Sequence, residues 1–182
     1  MPTRQSAVKL GAISRRAIRA VGSSADSPPP CDVFINHRGI DTKRSVAGLL
    51  YQRLHEVGGV RPFLDSRNMK AGDKLVEKIE EAIKKSKVGV AVFSPMYCQS
   101  YFCLHELSLM VETRKKIVPI FCDVKPSELA VKDDGCRPEK DLWRFRSALQ
   151  EAKDTVGLTF DTLRGDWPEF LARATEAVMD NL

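Results

Sequence analysis

Val88-Gly89-Val90-Ala91-Val92-Phe93 is the stretch on which the fold turns. Six apolar residues in a row, without polar alternation, describe a strand covered on both faces. The segment before it carries Leu75, Ile79, Ala82 and Ile83 at i, i+4, i+7 and i+8, with Glu and Lys between them, which predicts an amphipathic helix. The segment after it repeats the pattern with Leu104, Leu107 and Val111. Ile117-Val118-Pro119-Ile120-Phe121 then reads as another strand.

The same alternation extends in both directions. Val33-Phe34-Ile35 is a strand candidate, followed by a helical stripe of Val46, Leu49, Leu50 and Leu54 within residues 42–56, which Gly58-Gly59 breaks. Arg61-Pro62-Phe63-Leu64-Asp65 is a weak strand whose proline suits a strand start or a sheet edge. Two helical patterns follow the last strong strand: Leu142, Phe145, Leu149 and Ala152, then Phe170, Leu171, Ala174 and Val178. Strand–helix alternation predicts an α/β fold, a parallel sheet with helices on both faces. Ligands of such open sheets sit beyond the carboxyl ends of the strands. The segments to search are therefore 36–42, 65–74, 94–106 and 122–128.

At 182 residues, with 43% hydrophobic and 29% charged side chains, the chain has room for one globular domain and a tail. The division falls near residue 30. Residues 1–30 contain Arg4, Lys9, Arg15, Arg16 and Arg19 against the single acid Asp26, and they close on Pro28-Pro29-Pro30. This segment reads as a disordered basic arm or as an organelle transit peptide. Residues 31–182 form the predicted domain. The arm carries +4 of the net +5, so the charge is no argument for a nucleic-acid-binding domain. Cys31, Cys98, Cys103, Cys122 and Cys136 are odd in number and irregular in spacing, which argues for free thiols rather than a disulfide framework or a zinc site. No apolar run approaches the roughly 18 residues of a membrane span.

The strand-end loops hold the candidate functional residues. In Asn36-His37-Arg38-Gly39-Ile40-Asp41-Thr42, Arg38 offers a fork of donors suited to phosphate and Gly39 lets backbone approach a ligand; an ordinary turn with Asp41 or Thr42 as a helix cap is the competing reading. Asp65 to Gly72 is a long polar loop, either a lid or docking surface or simply solvated. The third loop is the richest, with Tyr97, Cys98, Ser100, Tyr101, Phe102 and Cys103 leading into Leu104-His105-Glu106-Leu107. Phe102 and Glu106 lie four apart and share a helix face, so an aromatic plate beside a carboxylate can hold a flat cationic ring and a sugar. The competing reading is a helical glutamate that faces water. His105 points elsewhere and receives no role. Glycine-rich phosphate loops, a histidine metal pattern and a G-x-S-x-G elbow are missing from the sequence. The third strand ends in Phe93-Ser94-Pro95 without an acid, which argues against a phosphoacceptor receiver.

These segments resemble the plant TIR (Toll/interleukin-1 receptor) family. Asp32-Val33-Phe34-Ile35-Asn36-His37-Arg38-Gly39-Ile40-Asp41-Thr42 is similar to D-V-F-x-S-F-R-G-E-D-T. Asp65 through Gly72 is similar to the D-D-x-x-L-x-x-G of the BB loop. Phe93-Ser94, Tyr97 and Ser100 through Leu107 resemble F-S-x-x-Y-x-x-S-x-W-C-L-x-E-L, and Val118 through Ser127 resembles V-P-V-F-Y-D-V-D-P-S. The chain departs from the pattern at Asn36 (family Ser), His37 (Phe), Ile40 (Glu) and Phe102 (Trp), and it has Ala47-Gly48 where many members carry a Ser-His pair used in self-association.

The resemblance implies a flavodoxin-like sheet of four to five strands in the order 2-1-3-4, with a short fifth strand near 157–160. It implies a TIR-only immune and cell-death signalling protein that cleaves the nicotinamide–ribose bond of NAD⁺, giving nicotinamide and ADP-ribose or cyclic ADP-ribose isomers. Glu106 would be the catalytic carboxylate, and Arg38, Gly39, Asp65, Ser100 and Phe102 would bind the substrate. NAD⁺ would be substrate rather than cofactor, with NADP⁺ as the alternative, and neither cofactor nor metal is expected. The expected assembly is a homo-oligomer, from dimer to tetramer, with the BB loop of one copy completing the site of another. The cytoplasm is the expected compartment, with the nucleus as a second one and an organelle if residues 1–30 are a transit peptide. A non-catalytic TIR–TIR adaptor is the competing function.

Overall fold

The computed structural model of the chain describes residues 31–182; the arm or targeting segment assigned to 1–30 lies outside the described residues. Strands β1 (Val33–His37), β2 (Pro62–Phe63), β3 (Val88–Phe93), β4 (Lys116–Cys122) and β5 (Leu158–Phe160) form one parallel sheet in the order β2-β1-β3-β4-β5. This is the doubly wound arrangement expected from the sequence, with β5 in place at the far edge. Pro62 sits in edge strand β2, where its missing N–H leaves no gap in the sheet interior.

Helices cover both faces. The chain runs through α1 (Gly39–Thr42), α2 (Val46–Val57), α3 (Asp65–Asn68), α4 (Leu75–Lys85), α5 (Tyr101–Glu112), α6 (Glu139–Asp154) and α7 (Trp167–Met179). One apolar layer joins α2 and α7 to Val33, Ile35, Val88, Val90 and Val92. The other joins α4, α5 and α6 to Phe34, Ala91, Phe93 and Phe121. All six residues of β3 are buried, as a central strand with two covered faces requires. Within α2 the inward stripe is Val46, Ala47, Leu50 and Leu54; Leu49, read from periodicity as part of it, is 39% exposed because its position has turned toward solvent.

α5 matters most for function, and three features fix it. Ser100 is its N-cap, with the hydroxyl accepting the Cys103 N–H at 3.3 Å. The Cys103 thiol donates to the His37 carbonyl at 3.3 Å, tying the first turn to the end of β1. Gly89 lets the helix lie close to β3: a Cβ there would stand 2.6 Å from the Met110 sulfur. Leu104, Leu107 and Met110 fill the interface completely.

Two local expectations are corrected. Neither Asp41 nor Thr42 caps α2; both belong to the single turn of α1, and Ser45 takes the N-cap position without a side-chain hydrogen bond. The Asp65–Gly72 loop is not wholly irregular, because α3 occupies its first half, closed by Asn68 Oδ1 accepting the Leu64 N–H at 2.8 Å. Among the described residues no helix is long and apolar enough to cross a membrane.

Leu107→Ala removes a fully buried side chain from the seat of α5. We expect it to cost about 2–5 kcal/mol of stability, read from urea denaturation; a loss well under 1 kcal/mol would show that α5 is not held by this packing.

Candidate functional site

The site forms where β1 and β3 end beneath the first turns of α5. Asn36, the fourth residue of β1, is buried and lies below α5. Its amide Nδ2 donates to Glu106 Oε2 at 2.9 Å and to the Cys103 carbonyl at 3.2 Å. Its Oδ1 accepts from the hydroxyl of Tyr97, which is itself fully buried and also lies 3.1 Å from the Cys103 carbonyl. Glu106 is therefore half-buried and anchored from below, rather than facing bulk water.

Above the anchored carboxylate lies a cavity of about 170 Å³, lined by Leu75, Val76 and Ile79 of α4 and by Phe102, His105 and Glu106 of α5, among others. Phe102 is 55% exposed and meets Tyr101 edge to face at 6.0 Å between centroids, so one ring face is available to a ligand. Larger grooves exist along the outer face of α6 (about 790 Å³) and beside β5 (about 900 Å³). Neither is lined by Glu106 or Phe102, and a third groove of about 600 Å³, lined by Gly39, Ile40, Asp41 and Ser45 at α1, lacks them too, so the smaller cavity is the one that contains the anchored carboxylate. Its volume suits a single ring or sugar and falls short of the roughly 300–1,000 Å³ of a complete ligand pocket.

The other predicted residues divide. Phe102 shares the cavity with Glu106, as their spacing predicts. Asp65 begins α3 at 44% side-chain exposure and stands 4.0 Å from His37 Nε2, so it borders the β1 end of the site. Arg38 is largely engaged by the protein: Nη1 donates to the Met96 carbonyl at 2.7 Å, and Nε lies 3.7 Å from Asp41. Asp41 in turn accepts from Ser94 Oγ at 2.6 Å, so Arg38 first of all clamps the β1 loop to the β3 loop. Gly39 opens α1, and among the described residues a Cβ there would meet nothing within 4 Å, so space alone does not demand glycine. Ser100 spends its hydroxyl on the cap of α5 rather than on the cavity.

Sequence reasoning missed His105. It was expected to point away, yet it lines the same cavity. Nε2 lies 3.2 Å from Glu80 Oε1, and Nδ1 accepts from Arg144 Nη1 at 3.0 Å, while Arg144 pairs with Glu112. This chain of charges crosses α4, α5 and α6 and holds the wall of the cavity in place. Only a signal linking α4 to α6 could have revealed it.

The profile of the TIR domain matches residues 33–151. A Brachypodium distachyon protein described as a probable 2' cyclic ADP-D-ribose synthase, BdTIR, is 53% identical over 155 residues, covering 83% of this chain and 69% of that protein. The chain belongs to the TIR domain family. The TMV resistance protein N of Nicotiana glutinosa is 31% identical over 74% of this TIR chain, which spans only 13% of that much longer protein. Among solved structures, the TIR domains of the activated Roq1 resistosome superpose with a TM-score of 0.67 at 26% identity, covering 82% of this chain and 98% of theirs.

The electrostatics of this TIR site are dominated by Glu106. Burial pushes its carboxyl up from an ordinary 4.5 to about 7; the Asn36 hydrogen bond opposes the rise and nearby Asp65 adds to it. Burial also holds His37 below the usual imidazole value, with Asp65 opposing, and among the described residues His37 Nε2 has no hydrogen-bond partner. A carboxyl near 7 is charged in about half the molecules at neutral pH and can also accept a proton, so it suits stabilisation of positive charge followed by general-base work.

A raised carboxyl has a stability signature. Between pH 4.5 and about 7 the folded chain binds the Glu106 proton and the unfolded chain does not. The contribution of this group is full below 4.5 and is lost as pH rises through about 7. Glu106→Gln removes that loss while keeping the side chain's size. Relative to wild type, the variant should gain about 3 kcal/mol between pH 4 and pH 8. Urea denaturation of both proteins across this range checks it; His37 titrates in both and cancels in the difference. Parallel curves would contradict the raised carboxyl.

Proposed function

We propose that this TIR domain cleaves NAD⁺ at the nicotinamide–ribose bond and acts in plant immune and cell-death signalling, as a 2' cyclic ADP-D-ribose synthase of the kind named for its Brachypodium relative. The observation that carries the reading is the anchored Glu106 carboxylate facing a small cavity beside the ring of Phe102.

The chemistry needs few groups. Nicotinamide is cationic in NAD⁺ and leaves neutral, taking the electron pair of the broken N–C1′ bond, so no acid has to protonate it. Positive charge passes to the ribose as an oxocarbenium-like ion, which a carboxylate beside the sugar stabilises. The ion is then captured by an internal hydroxyl of the adenosine half, giving a cyclic ADP-ribose, or by water, giving ADP-ribose. Either nucleophile sheds one proton, and Glu106 is the base within reach.

Phe102 would stack on the nicotinamide or the sugar. Asp65, at the start of the BB loop, borders the same end of the sheet. Arg38 would meet the phosphates with the part of its guanidinium left over from the Met96 contact, and Gly39 would offer its backbone. The cavity holds one ring, so the remainder of the dinucleotide must lie along the open β1 and BB loops. A second copy closing over those loops would complete the pocket. The likeness to TIR domains within a resistosome supports such an assembly.

The assay is nicotinamide release from NAD⁺, followed by chromatography over a range of protein concentrations. We expect specific activity to rise with concentration, and Glu106→Ala to fall at least about 100-fold while circular dichroism stays unchanged. A folded Glu106→Ala protein with wild-type turnover would leave only the adaptor reading.

A further inference from the structure

Asn36 stands at the position where plant TIR domains carry serine, and the structure gives it more to do than fill space. It has no solvent exposure, so it cannot touch substrate. Every polar atom of its side chain is nevertheless committed. Nδ2 donates both its hydrogens, to Glu106 Oε2 at 2.9 Å and to the Cys103 carbonyl at 3.2 Å. Oδ1 takes the Tyr97 hydroxyl. These contacts admit one amide orientation: a flip would set Oδ1 against the Cys103 carbonyl and the Glu106 carboxylate, and would leave the Tyr97 hydroxyl facing an NH₂ group. Among the described residues, Glu106 Oε1 takes no hydrogen bond from the protein and is not sealed from solvent.

We propose that Asn36 is the positioning residue of this reaction: its locked amide holds Oε2 of Glu106 from behind and leaves Oε1 as the oxygen that faces the ribose. The inference rests on the Glu106 reading above and deepens it. Other groups around the carboxylate do not supply this interaction. On the β1 side, His37 is held neutral by burial, Arg38 is turned to Met96 and Asp41, and Asp65 of α3 is a like charge. On α4, Glu80 is bound to His105 and Lys84. On α5, His105 lies between Glu80 and Arg144, and the Cys103 thiol, pushed up to about 12 by burial, donates to a carbonyl. The Tyr97 phenol is likewise held well above its ordinary value by burial, so it stays a neutral donor. Among the described residues, the Asn36 amide is the donor that meets the carboxylate directly. A hydrogen bond to the ionised form favours that form.

The test is the pH dependence of nicotinamide release, with kcat and KM measured separately from pH 5.5 to 9.5 on the full chain. Asn36→Ala should move the acidic limb of kcat upward by about one pH unit. At pH 7 that is about a fivefold loss of kcat, recovering to within about twofold of wild type at pH 9, with KM changed by less than about twofold. Asn36→Asp should move the limb further in the same direction, because two carboxylates then share the site. Should the alanine variant fail to fold, Asn36→Ser decides: it carries the family's residue, its hydroxyl stops short of Glu106, and it should shift the limb upward as well. A folded variant whose profile superposes on wild type, or whose kcat falls by one factor at every pH, overturns the proposal while Glu106→Ala remains inactive. Activity in Glu106→Ala would instead sink the catalytic reading itself, and this proposal with it.

Discussion

The site depends on one hydrogen bond, from the buried Asn36 amide to Glu106 at 2.9 Å. It joins a central strand to the helix above it, and it does so where water is scarce. Burial of a carboxylate is unfavourable and burial of an amide without partners is too. Paired, the two compensate in part, and the residual penalty appears as a carboxyl raised to about 7. Everything that places α5 serves this contact: the Ser100 cap, the Cys103 thiol on the His37 carbonyl, and the close approach of Met110 to Gly89.

The fold was largely legible in the sequence. The apolar run at 88–93 announced a central strand, and the helical stripes on either side announced its cover. Such patterns record which side of an element faces the core, and the core decides the architecture. The pairing of Phe102 with Glu106 was legible for the same reason, since four residues on a helix define a face. What the sequence concealed was polar and distant. Asn36 and Glu106 are 70 positions apart, and His105 and Arg144 are 39 apart. Those contacts depend on the register of β1 against β3 and on the docking of α5 and α6, which no local pattern encodes. The same limit explains Ser100 and Arg38: both sit in the right loops, but the hydroxyl is used by a helix cap and the guanidinium by a neighbouring carbonyl.

The arrangement is economical with catalytic groups and incomplete as a pocket. On the proposed reading, one carboxylate, one aromatic face and a volume near 170 Å³ would hold one ring, sugar or nicotinamide, of a dinucleotide whose bond to nicotinamide is already activated by charge. They do not suffice to hold the rest of it. On the proposed reading, catalytic competence and assembly would be coupled: the anchored carboxylate is present in each chain, and a second copy would add enclosure. Enclosure would also remove water and strengthen the carboxylate's interaction with the developing cation.

The central claim is that Glu106 is a partly desolvated carboxyl held by the floor of the site. Its titration can be followed directly by the ¹³C shift of the Glu106 carboxyl carbon in labelled protein, assigned by its disappearance in the Gln variant. The account requires a midpoint near 7. A midpoint at the ordinary glutamate value of about 4.5 would mean that the side chain is bathed in water and that Glu106 is not the partly desolvated carboxyl of this site.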